Sequence, residues 1–455
     1  MALCATFHWE SATGCAKDWW NGRLPNSNGS THLRLRAIAV ISFYLLAALR
    51  AWSDTSSPVA ITHVTVLDVR DGSAKADMTV LILGNRISVV ASSKNTPLPQ
   101  QAIVINGQGE FLIPGLWDMH IHTDGDGRPL RLLLAAGITG VRDMGGDVAK
   151  LAESRRRIVA GDLLGPRLLF AGPMLKGPPA QADSDVWVIH SPDEARRAVT
   201  SLANWHVDFI KVHDGLARDS FLAIAEAAKA RGLPFAGHVP ASITPLEASN
   251  LGQRSIEHLE FLPKPCMALF DPDPRAAHTV APGCEAESLD ALLHRFAENG
   301  TWLCPTIQSF RYFAPTQWDA IFAGFLEVAK HLRQNHVPIL AGTDWSSFLE
   351  EKGASPGGSL HDELRLLVEA GFTPLEVVRA ATLSPAVFLG LSDSLGTVEA
   401  GKVADLVLLE ANPLLDIHNT NRIVAVISEG RVLDRKVLDT MRAPTAATVP
   451  IPSIR

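Results

Sequence analysis

Two histidines at alternate positions, His120 and His122, are the residues that most directly suggest chemistry. In an extended strand, side chains at positions i and i+2 leave the same face, so these imidazoles would lie close together. Neutral imidazoles that converge on one point are typical ligands of a divalent transition metal. The pair alone is equally compatible with two ordinary histidines near the end of a strand.

The region around this pair predicts a barrel of parallel strands. The apolar run at residues 111–117 favours a strand buried on both faces, as in parallel sheets. Residues 113–392 then alternate short apolar strands with helical patterns. The predicted strands end at His122, Asp143, Gly172, His213, His238, His258, Thr306 and Asp344. Eight strands with helical crossovers predict an α/β fold, a (β/α)8 TIM barrel, in which the chemistry lies at the carboxyl ends of the strands.

Helix-start signals support this alternation. Ser191 before Pro192, and Thr373 before Pro374, combine a capping residue with proline at the first helical position. Further helices are predicted near residues 219–231, 289–299 and 318–335.

The barrel hypothesis can be tested against the positions of other potential ligands. Lys211, His238, His258 and Asp344 each lie at the end of a different predicted strand. The chain has 16 histidines, and the barrel geometry directs those at the strand ends towards a common centre. Because several strand ends each carry a potential ligand, the hypothesis of a metal centre is much stronger than it is from His120 and His122 alone.

Both flanks of the barrel region are rich in short β-strands. Residues 58–112 predict a small antiparallel unit with strands at 60–67, 78–83 and 86–90, and residues 393–442 repeat the pattern at 406–409, 423–427 and 431–433. We therefore expect one composite β-sandwich domain built from both flanks, followed by a tail at residues 443–455.

Residues 1–57 predict a targeting segment. Arg34 and Arg36 precede an apolar run at residues 37–49, and small residues follow near Ser53, as in a secretory signal peptide. An uncleaved membrane anchor is the alternative, although the run is short for a membrane span. Residues 1–32 fit either a long region before the apolar run of the signal or translation from an upstream start codon. In an exported protein, Cys266 and Cys284 could form a disulfide, and two unpaired cysteines are the alternative.

Bulk composition excludes several classes of protein. The chain has 455 residues, of which 47% are hydrophobic and 20% charged, so it can bury a large core. A net charge of −7 without an extended basic stretch disfavours nucleic acid as a partner. The five cysteines form no CxxC motif, which disfavours zinc-finger and iron–sulfur sites.

The site residues and a C-terminal segment resemble the amidohydrolase superfamily of the binuclear-metal type. The segment is residues 396–416, beginning Gly396-Thr397-Val398. Blocks at 209–212, 237–239, 256–258 and 359–364 are similar to imidazolonepropionase-related Xaa-Pro dipeptidases and ochratoxin-degrading amidohydrolases. The resemblance implies two divalent ions, with zinc as the default, and a metal-bridging hydroxide as the nucleophile. It implies the following ligand roles: His120, His122 and Asp344 on one ion, His238 and His258 on the other, and Lys211, carboxylated on Nζ, between them. Asp344 would also act as general base and then general acid.

The resulting hypothesis is an exported hydrolase of an amide or peptide bond in a dipeptide, an N-acyl amino acid or an ochratoxin-like compound. Deaminases of the superfamily that the sequence resembles often carry a glutamate three residues after the histidine of strand 5. Here that position is Ala241, three residues after His238, so the resemblance disfavours deamination. A lactonase or other ester hydrolase, and an inactive metal-binding barrel, are the alternatives; a homo-oligomer is also open. His213 is a candidate substrate contact, and Arg142 either binds a substrate carboxylate or pairs with Asp143. The remaining histidines considered are expected at the surface or at helix caps: His331, His336 and His361.

Overall fold

The computed structural model describes residues 57–259, 262 and 286–443, which form a mixed α/β fold with parallel sheets. The strands are β1 (Val59–Leu67), β2 (Ala74–Leu83), β3 (Arg86–Ser92), β4 (Ile103–Asn106), β5 (Phe111–Pro114), β6 (Leu116–Ile121), β7 (Ile138–Asp143), β8 (Arg167–Phe170), β9 (Met174–Lys176), β10 (Val186–Val188), β11 (Ile210–Val212), β12 (Phe235–Gly237), β13 (Ser255–Glu257), β14 (Trp302–Cys304), β15 (Leu406–Leu409), β16 (Ile423–Ser428) and β17 (Arg431–Leu433). The helices are α1 (Gly127–Ala135), α2 (Val148–Ala160), α3 (Pro192–Asn204), α4 (Arg218–Ala230), α5 (Pro245–Asn250), α6 (Ala286–Asn299), α7 (Phe310–Phe313), α8 (Trp318–Gln334), α9 (Ser347–Glu351), α10 (Gly358–Glu369), α11 (Pro374–Ala380), α12 (Leu383–Phe388) and α13 (Arg435–Arg442).

The helix-start signals of the sequence are confirmed. Ser191 caps α3 by accepting a hydrogen bond from the backbone N–H of Glu194. Thr373 caps α11 in a capping box, in which Glu376 accepts a hydrogen bond from the Thr373 backbone in return.

Strands from both flanks of the chain share one mixed sheet of eight strands. Its order is β17-β16-β15-β5-β1-β2-β3, with β4 also paired to β1. The junction of the two flanks is the antiparallel pair of β15 with β5. The sequence predicted an antiparallel unit at residues 58–112, but β1 pairs in parallel with both β4 and β5. Alternation of side chains gives the sheet an aliphatic face, which buries residues such as Ile61, Leu112 and Leu406.

The apolar run at residues 111–117 belongs to two sheets and not to one strand. Strand β5 lies in the mixed sheet, and β6 begins a parallel sheet immediately afterwards. Gly115 separates them, and a Cβ atom at this position would lie 2.0 Å from Oγ1 of Thr139. The chain therefore crosses between sheets at a point where only glycine fits, and this crossing fixes the direction of β6 towards His120.

The parallel strands form a sheet of three, β6-β7-β8, and a sheet of six, β10-β9-β11-β12-β13-β14. Residues 339–345, where the sequence predicted a further strand, join the two sheets through isolated parallel bridges. Ile339 pairs with Leu303 of β14, and Trp345 pairs with Ile121 of β6. The other end of the three-stranded sheet is also connected to the six-stranded sheet. Asp208, just before β11, donates its backbone N–H to the carbonyl of Phe170, the last residue of β8, at 3.0 Å. The ends of β6, β11, β12 and β13 are thereby held around a common region.

No helix in the described part of the chain is long and apolar enough to cross a membrane. The predicted signal segment, the Cys266–Cys284 pair and nearly all of the predicted tail lie outside the described residues. The domain boundaries given by the sequence remain predictions.

Candidate metal centre

The structure brings together the six residues that the sequence predicted as metal ligands. His120, at the penultimate position of β6, is fully buried, and His122 follows that strand. The Nε2 atoms of His120 and His122 lie 3.2 and 3.3 Å from Oδ1 of Asp344. Lys211, in the middle of β11, places Nζ 3.5 Å from Nε2 of His120. One carboxylate oxygen and one amine thus lie beside the histidine pair.

The two remaining histidines complete the cluster. His238 directly follows β12, His258 directly follows β13, and their ring centroids are 4.8 Å apart. The His258 ring is also 4.7 Å from that of His120. Candidate ligand atoms of His120, His258 and Asp344 all lie within 4.8 Å of one another. The predicted positions therefore converge as parallel strand ends should.

Each of these four histidines uses Nδ1 for a contact outside the cluster. The pairs are His120 with Glu257 Oε2 at 2.8 Å, His122 with the Gly145 carbonyl at 3.0 Å, His238 with Asp214 Oδ1 at 3.1 Å, and His258 with Thr306 Oγ1 at 2.7 Å. A carboxylate, carbonyl or hydroxyl oxygen that accepts from Nδ1–H fixes the tautomer and leaves the Nε2 lone pair available to a metal.

Glu257 belongs to a buried charge network. Its carboxylate accepts hydrogen bonds from the Arg142 guanidinium at 2.9 and 3.0 Å, and both side chains are at most 1% exposed. Burial would raise the pKa of Glu257, but Arg142 and the bond from His120 hold it well below its usual range. Arg142 is thus a structural residue paired with Glu257, and the predicted pairing with Asp143 and the predicted substrate contact are both wrong.

The electrostatics of the cluster favour ligand forms of most of its side chains; the exception is His122, whose pKa burial would lower but the neighbouring Asp344 raises above its ordinary value. Burial lowers the pKa of His238 to about 3 and that of His258 well below its ordinary value, so both imidazoles are neutral. Burial alone would raise the pKa of Asp344, but the neighbouring His258 and His120 hold it well below the usual range. Burial also lowers the pKa of Lys211 to about 8, which makes its neutral amine far more accessible than that of a surface lysine.

This donor set fits divalent transition metals. It offers four imidazole nitrogens, one ionised carboxylate and one lysine amine with a depressed pKa, around one cavity. Imidazole with carboxylate suits zinc, and also manganese, cobalt or iron. The residues present therefore fit a divalent metal ion.

Backbone conformation contributes to the placement of two ligands. His258 and Asp344 both adopt positive φ, at 56°, as does Thr306 at 49°, the partner of His258. Such conformations are uncommon outside glycine and cost about 1 kcal/mol or more each. Gly237, before His238, has φ of 135°, and a Cβ there would lie 2.1 Å from the Val212 carbonyl oxygen.

The cluster lines a cavity of about 650 Å³. His213 lines it too, with its ring centroid 3.6 Å from that of His238. Its Nδ1 accepts a hydrogen bond from the Asp214 backbone at 2.8 Å, and burial lowers its pKa to about 4. Its predicted role as a substrate contact remains a prediction.

Sequence reasoning missed the residues that orient the ligands. Asp118 accepts hydrogen bonds from the backbone and hydroxyl of Thr343, at 3.0 and 2.7 Å, and so fixes the turn that carries Asp344. For Glu257 and Arg142 a signal existed, because charged residues within fully buried strands require partners. For Thr306 and Asp214 the sequence carries no such signal.

The sequence analysis also misplaced His361, which it expected at the surface or at a helix cap. This residue is buried and contacts Thr420 and the Ala136 carbonyl.

Comparisons with known proteins agree with the mixed α/β fold. Residues 111–433 match the Amidohydrolase family, and the chain belongs to it. It is 23% identical over 430 residues to an ochratoxinase of Aspergillus niger, covering 80% of this chain and 84% of that protein. A solved Xaa-Pro dipeptidase with bound methionine has a TM-score of 0.68 and 22% identity, covering 83% of this chain and all of the other. The solved A. niger ochratoxinase has a TM-score of 0.65 and 20% identity, covering 84% and 96%.

Family membership gives the general activity. The protein is a hydrolase that acts on carbon–nitrogen bonds of a small molecule. Divalent metals are general cofactors of this family, and the described residues include a cluster able to hold them.

Proposed function

We propose that this protein is a binuclear metal-dependent amidohydrolase that cleaves an amide or peptide bond in a dipeptide, an N-acyl amino acid or an ochratoxin-like compound. The observation that carries the proposal is the convergence of four imidazoles, the Asp344 carboxylate and the Lys211 amine in one cavity. Structural supports behind each histidine favour a built ligand set over a chance grouping of buried polar residues.

His120, His122 and Asp344 would hold one ion, and His238 and His258 the other. Lys211 would bridge them as a carbamate, formed when its neutral amine adds to carbon dioxide and loses a proton. The burial that lowers the pKa of Lys211 supports this step, because an ammonium group cannot attack carbon dioxide. When bound, divalent ions in such a site polarise the scissile carbonyl and lower the pKa of a coordinated water.

Asp344 would transfer the proton in the reaction. Its carboxylate is ionised and lies at the edge of the cavity, so it can accept a proton from the attacking water. The same group can then deliver that proton to the leaving amine, which departs as a neutral molecule. His120 and His122 place Nε2 within 3.3 Å of Oδ1, so one ion held by these three atoms would fix this oxygen.

The proposed fold of the protein is a closed (β/α)8 barrel with a composite β-sandwich domain. Closure is supported by the bridges from residues 339–345 to β14 and β6, and by the hydrogen bond from Asp208 to Phe170. We further propose export through the N-terminal signal. Sequencing of the mature N-terminus tests export, since a start near Asp54 is expected and an intact Met1 would contradict it.

A hydrolysis screen of N-acyl amino acids, dipeptides and lactones, with metal-loaded enzyme, tests the proposed reaction. Amide turnover that is lost with a chelator and restored by a divalent metal is the expected result. Turnover of lactones alone would replace the proposal with an ester hydrolase, and metal-independent turnover would contradict it.

A further inference from the structure

The cavity carries two features that the metal-binding cluster does not use. One is the ammonium group of Lys176, and the other is the pair of aromatic rings of Phe313 and Phe348. Lys176 is the last residue of β9, whereas Phe313 ends α7 and Phe348 lies on α9. Both features therefore border the same space of about 650 Å³ from different parts of the fold.

The backbone of Lys176 is fixed in a way that directs its side chain. Met174 and Lys176 alternate with the fully buried Leu175, and both of the former line the cavity. The Lys176 carbonyl accepts a hydrogen bond from the Ile189 backbone at 2.7 Å. The next residue, Gly177, is packed against another backbone segment so closely that a Cβ there would lie 1.8 Å from a carbonyl oxygen.

Lys176 forms no ion pair in the described part of the chain, although the Asp183 carboxylate is close enough that Lys176 helps to lower its pKa, after the larger effect of a hydrogen bond with Asp185. Within that part, no carboxylate lies within 4.0 Å of its ammonium group, and Lys176 and Lys211 are the only lysines that line the cavity. Asp124 and Asp185 also line it and repel an anion from their positions. Lys176 is thus the place outside the metal cluster where this cavity favours a substrate carboxylate.

The aromatic pair exposes apolar surface at the cavity. Phe313 and Phe348 stack with ring centroids 5.8 Å apart and an interplanar angle of 26°, yet remain 48% and 49% exposed. Exposed phenylalanines occur singly on many proteins, but two stacked rings beside a catalytic cavity form a surface that a ligand can cover. Phe310 lines the same cavity and extends this surface.

We propose that Lys176 binds a carboxylate of the substrate and that the Phe313–Phe348 pair packs against an aromatic or large aliphatic group of the same molecule. The inference rests on the proposed amidohydrolase activity and narrows it to acidic amides with a bulky apolar group, such as N-aroyl amino acids. Neutral amides and small acyl amino acids lack one of the two contacts and are poorer substrates.

The test compares three amides with the full-length, metal-loaded protein: N-benzoylphenylalanine, its C-terminal carboxamide, and N-acetylalanine. Chromatography of the released benzoate or acetate gives kcat/KM for each. The wild type should prefer the carboxylate to the carboxamide about tenfold or more. Lys176→Met should abolish this preference, whereas Lys330→Met, at an exposed surface lysine, should retain it.

Truncation of the aromatic pair should have a different signature. Phe313→Ala and Phe348→Ala should each lower kcat/KM for N-benzoylphenylalanine about tenfold and leave N-acetylalanine within about twofold. Leu415→Ala, an exposed apolar residue that does not line the cavity, is the matched control. Unchanged selectivity in the phenylalanine variants, or a carboxylate preference retained by Lys176→Met, would overturn the inference.

Calorimetric binding of N-benzoylphenylalanine and its carboxamide separates this inference from the proposed reaction. Hydrolysis without a carboxylate preference would overturn the inference and keep the amidohydrolase. Preferential binding of the carboxylate, lost in Lys176→Met but without hydrolysis of any amide, would support the contacts and contradict the reaction. Neither hydrolysis nor preference would contradict both.

Discussion

The metal-binding end of the parallel strands and the mixed sheet are stabilised by different interactions. In the mixed sheet, side chains such as Ile61, Leu112 and Leu408 bury aliphatic surface. We expect truncations at well-separated positions of such a surface to have additive effects on stability. At the strand ends, Arg142 and Glu257 are buried opposite charges, and the Arg142 guanidinium donates hydrogen bonds to the Glu257 carboxylate. The sheet can therefore lose stability in increments, whereas the metal-binding end loses both stability and ligand geometry when one partner is removed.

The largest expected effect is on catalysis. Asp344→Asn keeps the size of the side chain but cannot accept the proton, so kcat should fall about a thousandfold. Asp362→Asn, at an exposed aspartate of α10, is the matched control and should leave kcat unchanged. A loss below tenfold in Asp344→Asn would show that another group transfers the proton.

Removal of the buried Arg142 guanidinium tests whether the metal-binding end loses stability when one member of its charge pair is removed. Arg142→Met leaves the Glu257 carboxylate buried without its counter-charge, so the free energy of unfolding should fall by about 3–5 kcal/mol in urea titrations. Adding Glu257→Gln to this variant should recover part of the loss, because the remaining group is neutral. In the mixed sheet, Leu408→Ala should cost about 2–5 kcal/mol with the metal content unchanged. Additive effects of Arg142→Met and Glu257→Gln would contradict a mutual pair.

Acidification tests a contact outside the metal cluster, where His361 of α10 contacts the Ala136 carbonyl, before β7, and Thr420, between β15 and β16. Burial lowers its pKa from 6.5 to about 4, so the unfolded chain binds a proton that the folded chain excludes between these values. Stability should therefore fall as the pH is lowered from 6.5 to 4, by about 3 kcal/mol from this residue. Denaturant titrations of His361→Gln should show a flatter dependence, and an identical slope would exclude His361 as its source.

The smallest effect concerns backbone space beside the metal cluster. Gly237→Ala should be less stable than Gly252→Ala by about 1–3 kcal/mol. Both glycines have positive φ, but only at Gly237 would the new Cβ contact β11, whereas at Gly252 it meets nothing within 4 Å. Thermal unfolding measures the difference. Equal losses of stability in the two variants would mean that the positive φ alone requires glycine at position 237, and that contact of a Cβ with β11 adds nothing.

The sequence predicted those parts of the fold that depend on periodicity and capping. Alternating and continuous apolar runs located β1, β6 and β15, and Ser191 and Thr373 marked helix starts, because these signals are local. The division of the run at residues 111–117 was missed, since it depends on contact between Gly115 and the distant Thr139. The parallel pairing of β1 was missed for the same reason.

The ligand positions were predicted because parallel strand ends meet at one edge of a sheet. What the sequence could not supply was the set of contacts that orients each ligand. Asp118 with Thr343, and Thr306 with His258, are separated by many residues, and their hydrogen bonds follow from tertiary packing. The positive φ of His258 and Asp344 likewise has no sequence signature, because neither residue is glycine.

Metal analysis of the purified wild-type protein tests the central claim most directly. Elemental mass spectrometry should find two divalent ions per chain, held by the cluster of His120, His122, Lys211, His238, His258 and Asp344. One ion per chain would contradict the binuclear site and the bridging role of Lys211, and no bound metal after purification with added zinc would contradict the metal centre itself.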